Sequence, residues 1–194
     1  PETQEWVRMQ NFTGQTRAAA AGFYLNGNIY FGTGQSLNDY TSLNDFWKYN
    51  IAANTWTRLN DFTGNPRHSA SGFAIEDKGY FTSGVEFKWN SYHSPTGDCW
   101  EYASASDSWF KINGYDNLEW GDTDGLAGGV SVVTGNIAYY GLGGNSTMGD
   151  YNMRVYAFYP ALNNIWERIT NFPEDNNNSS MAFALDGIPY FRKS

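Results

Sequence analysis

The chain alternates short apolar and aromatic runs with clusters of turn-forming residues. Residues 18–25 are small and apolar, and Asn26-Gly27 ends the run. Asn-Gly is a hairpin signal, because both residues accept the positive φ of a tight two-residue turn. Residues 28–34 follow, rich in Ile, Tyr and Phe, and predict the returning strand. After a loop at 35–44, residues 45–51 set Phe46, Lys48 and Asn50 against Trp47, Tyr49 and Ile51, the alternation of a half-buried strand. Ala52-Ala53-Asn54 turns the chain, and residues 55–60 predict a fourth strand. No stretch carries a helical period, so the pattern predicts an all-β chain with negligible helix.

The pattern repeats. Trp6, Trp56, Trp109 and Trp166 lie 50, 53 and 57 residues apart, and each opens a related phrase: EWVRMQNFTG, TWTRLNDFTG, SWFKINGYDN and IWERITNFPE. Tyr30, Tyr80, Tyr139 and Tyr190 each begin an aromatic pair, at separations of 50, 59 and 51 residues. A third marker recurs as FWKY at 46–49, CWEY at 99–102 and VYAF at 155–158. Several markers sharing a period near 50 point to a repeat architecture of four-stranded blades.

The phrases LNGNIYFGTG at 25–34 and LNDFWKYNIAANTWTRL at 43–59 resemble the kelch-repeat family, and residues 77–84 and 136–144 give second and third versions of the first phrase. Only the third keeps the double glycine of that family, at Gly143-Gly144. The resemblance implies a kelch-type β-propeller spanning residues 1–194 as one domain. Its units are 16–64, 65–118, 119–175, and 176–194 taken with 1–15. Residues 4–10 are expected to supply the closing strand of the last unit, which then lacks one strand. Three readings stay open: a part of a larger propeller, a closed four-bladed ring with one three-stranded blade, or two copies joined through their incomplete blades. A propeller fold hosts many unrelated roles and does not by itself assign one.

Composition narrows the function classes. Aromatic residues make up 18% and charged residues 16%, which excludes a disordered chain. The net charge of −8 and the lack of a basic stripe argue against nucleic acid as partner. No apolar run approaches about 18 residues, so no helical membrane span is expected. Cys99 is the one cysteine, and His68 and His93 are the only histidines, without metal-ligand spacing. No cofactor, metal or catalytic residue is expected.

The repeat-closing residues Trp6, Trp56, Trp109 and Trp166, with Trp47 and Trp100, are expected to be structural, each burying on the order of 150–250 Å² between neighbouring blades. Trp89 and Trp120 have no counterparts in the other units. With Tyr92 they are candidates for an aromatic platform suited to a sugar ring or a protein. Arg17 and Arg67 lie five residues before Gly22 and Gly72, where the resemblance places the channel mouth. Two such arginines can hold an acidic peptide or a carboxylated sugar through bidentate bonds. The alternative is that each bonds carbonyls of its own loop.

The expected function is a non-enzymatic binding or assembly module, recognising a protein or glycan on a propeller face, outside the cell or on its surface. The alternatives are a fragment of a sugar-acting kelch enzyme, epimerase- or oxidase-like, and a multimer or filament subunit joined through the incomplete blade.

Overall fold

The computed structural model describes residues 5–88, 92–117, 126–145, 150–151, 154–171 and 180–193. These residues are all-β apart from two single 3-10 turns, Tyr115–Asn117 and Pro160–Leu162. Three sheets have four antiparallel strands each, in sequence order from one edge to the other. The first holds Ala21–Leu25, Asn28–Gly32, Phe46–Asn50 and Thr55–Arg58. The second holds Ser71–Ile75, Lys78–Thr82, Cys99–Ala103 and Ser108–Ile112. The third holds Val130–Thr134, Ile137–Gly141, Arg154–Tyr159 and Ile165–Asn171. A hairpin, Ser180–Leu185 with Ile188–Lys193, follows. Asn26 and Gly27 have φ of 50° and 77°, and Asp186 and Gly187 repeat this at 49° and 79°, the backbone that such tight turns demand.

The first strands of successive sheets lie side by side. They approach so closely that a Cβ on Gly72 would come within 2.5 Å of the Gly22 carbonyl oxygen. A larger residue there would drive the two strands apart. At the next junction, between the second and third sheets, Ser131 donates to the Gly72 carbonyl at 3.1 Å.

Each sheet has two unlike faces. One face of the first sheet carries Phe23, Tyr30 and Phe46, and these meet Phe81, Tyr102 and Trp109 of the second. The other face of the second sheet carries Phe73 and Tyr80, which meet Phe158 of the third sheet in a core that also holds Trp166. In three of the four leading hairpins a Phe and a Tyr pair across the strands and stack: Phe23 on Tyr30, Phe73 on Tyr80, and Phe183 on Tyr190, each at 5.2 Å, while the third sheet has Val132 opposite Tyr139. Offset stacking of this kind adds to the gain from burial alone.

A ring from the preceding loop then locks the outer half of each sheet. Phe12 packs edge-on against Trp47 and Trp56, and Phe62 against Trp100 and Trp109. Tyr115 takes the equivalent place in the third, stacking on Tyr156 and meeting Trp166 edge-on. The closing indoles of Trp56 and Trp166 donate to the carbonyls of Gln10 and Asn113, in the segment before each sheet.

Trp56, Trp109 and Trp166 occupy matching register positions, opposite Tyr49, Tyr102 and Phe158. Trp109 and Trp166 are buried, and Trp56 is half-buried because no further sheet covers its face. Trp6 departs from the expectation: it is fully exposed and no strand forms around it. Residues 5–10 do not pair with the C-terminal hairpin, whose two strands form a sheet by themselves. They are tied instead to the turn of the first sheet, where Gln10 N–H donates to Asn54 Oδ1 at 2.6 Å. Without a ladder or a neighbouring sheet, the Trp6 ring has nothing to pack on.

Trp109→Ala is therefore expected to cost about 3–5 kcal/mol of stability, as for emptying an aromatic core site. Trp6→Ala should stay within about 0.5 kcal/mol of the parent. Urea denaturation of the two variants measures the difference, and equal losses would contradict the packing described.

Candidate functional site

Both candidate arginines stand on short strands that precede their sheets: Arg17–Ala18 pairs with Gln35–Ser36, and Arg67–His68 with Val85–Lys88. The chain reverses sharply beside each, with positive φ at Ala19 and Ser69. These bends aim both guanidinium groups inward, where their side chains are 2% and 1% exposed.

Arg17 donates to both oxygens of Asp45, at 2.5 and 2.6 Å, and to the carbonyls of Thr33 and Gln15. Arg67 grips Asp98 in the same bidentate way, at 2.6 and 3.0 Å, and donates to the Ser83 and Asn65 carbonyls. It bonds Thr96 and Glu86 as well, and Asn65 Nδ2 holds the second Glu86 oxygen at 2.9 Å. Trp47 and Trp100 donate their indole N–H groups to the same aspartates, each at 2.7 Å. Phe12 and Phe62 each lie 5.1 Å from the guanidinium carbon of Arg17 and Arg67, adding a cation–π contact. The expectation that these arginines hold an acidic ligand is thus corrected. Their N–H groups are spent on carboxylates and on carbonyls of the neighbouring backbone, which is the alternative in which each arginine braces its own loop. Trp47 and Trp100 belong to the same device.

Electrostatics agree. Burial works to raise the Asp98 carboxyl, but the Arg67 bonds and charge, with Trp100 and Thr96, outweigh it and hold that carboxyl below the ordinary range. Asp45 follows the same balance with Arg17 and Trp47. A polar pocket of about 270 Å³ opens beside Arg67, bordered also by Glu86, Trp100, Lys111 and Asp116. Burial, and then the charge of Asp98, raise the Asp116 carboxyl. Arg67 holds both Asp98 and Glu86 at the edge of this pocket.

A second cavity, of about 420 Å³, lies where the first strands of the three sheets meet the C-terminal hairpin. Its wall is built from register neighbours: Ala21-Gly22, Ser71-Gly72, Val130-Ser131 and Met181-Ala182. Ser71 Oγ donates to Ser131 Oγ across it at 2.8 Å. The sequence signal for this cavity is the small residue at the same place in every first strand: Gly22, Gly72, Ser131 and Ala182.

Trp89 and Trp120 lie outside the described residues. Tyr92 begins the strand Tyr92–Pro95, opposite Lys88, and its side chain is outside the described set. Cys99 is fully buried, and burial pushes its thiol well up. Among the described residues no cluster of His, Cys, Asp and Glu has the arrangement to hold a metal, and no helix is long and apolar enough to cross a membrane.

No protein-family model and no curated protein matches the chain. Among the solved structures that match it is "Structure of YjhT", with a TM-score of 0.68 and 20% identity, over 86% of this chain and 54% of that one. The chain thus spans about half the length of that protein, and the likeness is one of fold.

The arginine braces predict an acid-sensitive fold. Asp45 and Asp98 titrate lower in the folded than in the unfolded chain, so their stabilisation is in place above the unfolded aspartate value of about 3.9 and is lost as pH falls through the folded values. Denaturant midpoints should fall steeply on acidification through that window. Asp98→Asn, which leaves Arg67 with Glu86 alone, should lower the midpoint at neutral pH and flatten that fall. An unchanged acid profile in the variant would contradict the brace.

Proposed function

We propose that the chain forms kelch-type propeller blades, with the three sheets and the hairpin radiating from a common axis. We read it as a non-enzymatic binding module that recognises a protein or glycan at the axial mouth, outside the cell or on its surface. The observation that carries this reading is the cavity of about 420 Å³ walled by the first strands of all four units. Contributions from every unit to one concave site are what a ring of blades would provide, and concave sites are the usual place for ligands. The likeness of fold to a longer solved structure supports the blade reading.

The chemistry of the wall narrows the ligand. Glycine and alanine leave room for a slender group, and the Ser71 and Ser131 hydroxyls offer hydrogen bonds to a sugar hydroxyl or a peptide carbonyl. The wall residues carry no charge, so recognition there is that of a neutral group. The internal pairing of Arg17 and Arg67 also withdraws both residues from the enzyme alternative, in which they would face a substrate.

Glycan and peptide arrays probed with the parent chain, Ala20→Trp and Ala182→Trp test the site. The expected result is binding by the parent, insensitive to added salt, and its loss in both tryptophan variants. Binding that survives both substitutions, or a parent that binds nothing on either array, would overturn the reading.

A further inference from the structure

Asn-Gly occurs twice in the sequence, at 26–27 and 113–114, and the fold treats the two places differently. Asn26 and Gly27 form the exposed tip of the first hairpin. The ladder ends at the Leu25–Asn28 pair, so both tip residues lie outside it. A Cβ on Gly27 would meet nothing within 4 Å. Asn28 Nδ2 donates to the Asn26 carbonyl at 2.9 Å. That bond draws electron density from the Asn26–Gly27 peptide group and eases loss of the Gly27 amide proton.

Asn113 and Gly114 are built into the packing instead. A Cβ on Gly114 would come within 2.2 Å of the Gly97 carbonyl oxygen and 2.7 Å of Asp98 Cα. The Asn113 carbonyl accepts the indole N–H of the buried Trp166 at 2.9 Å. Backbone rotation at Asn113 breaks a core contact, whereas rotation at Asn26 loosens only the end of a ladder.

We propose that Asn26 is a site of spontaneous deamidation in the folded protein and that the fold protects Asn113 from the same reaction. The Gly27 nitrogen gives up its proton to base and attacks Asn26 Cγ. The new Cγ–N bond closes an imide ring, and the Cγ–Nδ2 bond breaks to release ammonia, which takes its third proton from solvent. Water then opens the ring. Attack at Cγ restores the ordinary backbone and leaves aspartate. Attack at the other carbonyl leaves isoaspartate, with the chain running through the side-chain carbons. Water is the only co-reactant consumed. Ring closure needs the left-handed tip to rotate about the Asn26 Cα–C bond, so the rate follows how readily each place opens. Opening is nearly free at a loop tip and approaches the cost of global unfolding in a core.

The two products differ in consequence. The C-terminal hairpin already has Asp186-Gly187 at the same turn, with φ of 49° and 79° against 50° and 77° at Asn26-Gly27, so aspartate fits there. Isoaspartate adds a backbone carbon to the turn. Leu25, 3% exposed in the core, then loses its register with Asn28.

The test follows the folded chain at mildly alkaline pH beside the same chain unfolded in urea. Mass spectrometry of proteolytic peptides reads each asparagine, and enzymatic methylation of the isoaspartyl carboxylate separates the two products. In the folded chain the Asn26 peptide should convert to both acids about tenfold or more faster than the Asn113 peptide, because only the tip opens locally. In urea the two should convert at similar rates. Asn26→Asp should keep the urea midpoint of the parent. Equal rates at the two sites in the folded chain overturn the proposal. So does an Asn26 that stays intact in the folded chain while it converts in urea. A lowered midpoint in Asn26→Asp overturns the fit of aspartate to the turn.

Discussion

Phe46 and Trp109, with ring centres 4.9 Å apart, mark the contact on which the structure depends: the aromatic face of one sheet entering the unlike face of the next. A four-stranded meander with large rings on one side cannot bury them by itself. It needs a neighbour, and the neighbour's other side then needs one too. This constraint sets the architecture more firmly than any strand propensity. It explains why glycine stands at 72 and 79, where a backbone or a ring from the adjacent sheet comes too close for a side chain. It explains equally why the tryptophan that ends each unit is buried wherever a sheet precedes it, and only half-buried at Trp56.

The arginine braces solve a second problem raised by the same packing. The loop that carries Phe12 or Phe62 onto the next sheet must be held at a fixed height. Arg17 and Arg67 do this by tying that loop to the start of the third strand through Asp45 and Asp98. A buried guanidinium is costly unless its charge is paired and its donors are satisfied. Both conditions are met, and the second unit adds Glu86 where the first has Ser36. The charge that looked available to a ligand is the charge the fold consumes.

Much of this was legible in the chain. The spacing of the tryptophans and of the Tyr-led pairs located the sheets, and Asn26-Gly27 located a turn, because these features act between residues close in sequence. The partners of the arginines were harder to see. Asp45 and Asp98 lie 28 and 31 residues further on, and an aspartate ahead of an aromatic strand looks like an ordinary turn residue. Trp6 misled for a related reason. Its phrase matches the other repeats, but a phrase specifies a strand only where a ladder receives it. The cavity between the first strands has no such signature, because small residues carry no chemical label and their meaning appears only when four first strands converge.

The reach of the connections has a consequence for how the chain acquires its shape. Within a unit the brace bonds span up to 31 residues, and several polar links between units span 44 to 60. Loop closure at such distances costs little more than closure within a unit, because the entropy loss grows only with the logarithm of length. A unit can therefore settle as soon as the following fifty or so residues leave the ribosome, each finished sheet becoming the template for the next. The exposed aromatic face moves forward along the chain with synthesis, so the surface most prone to misassociation at any moment is the one made last.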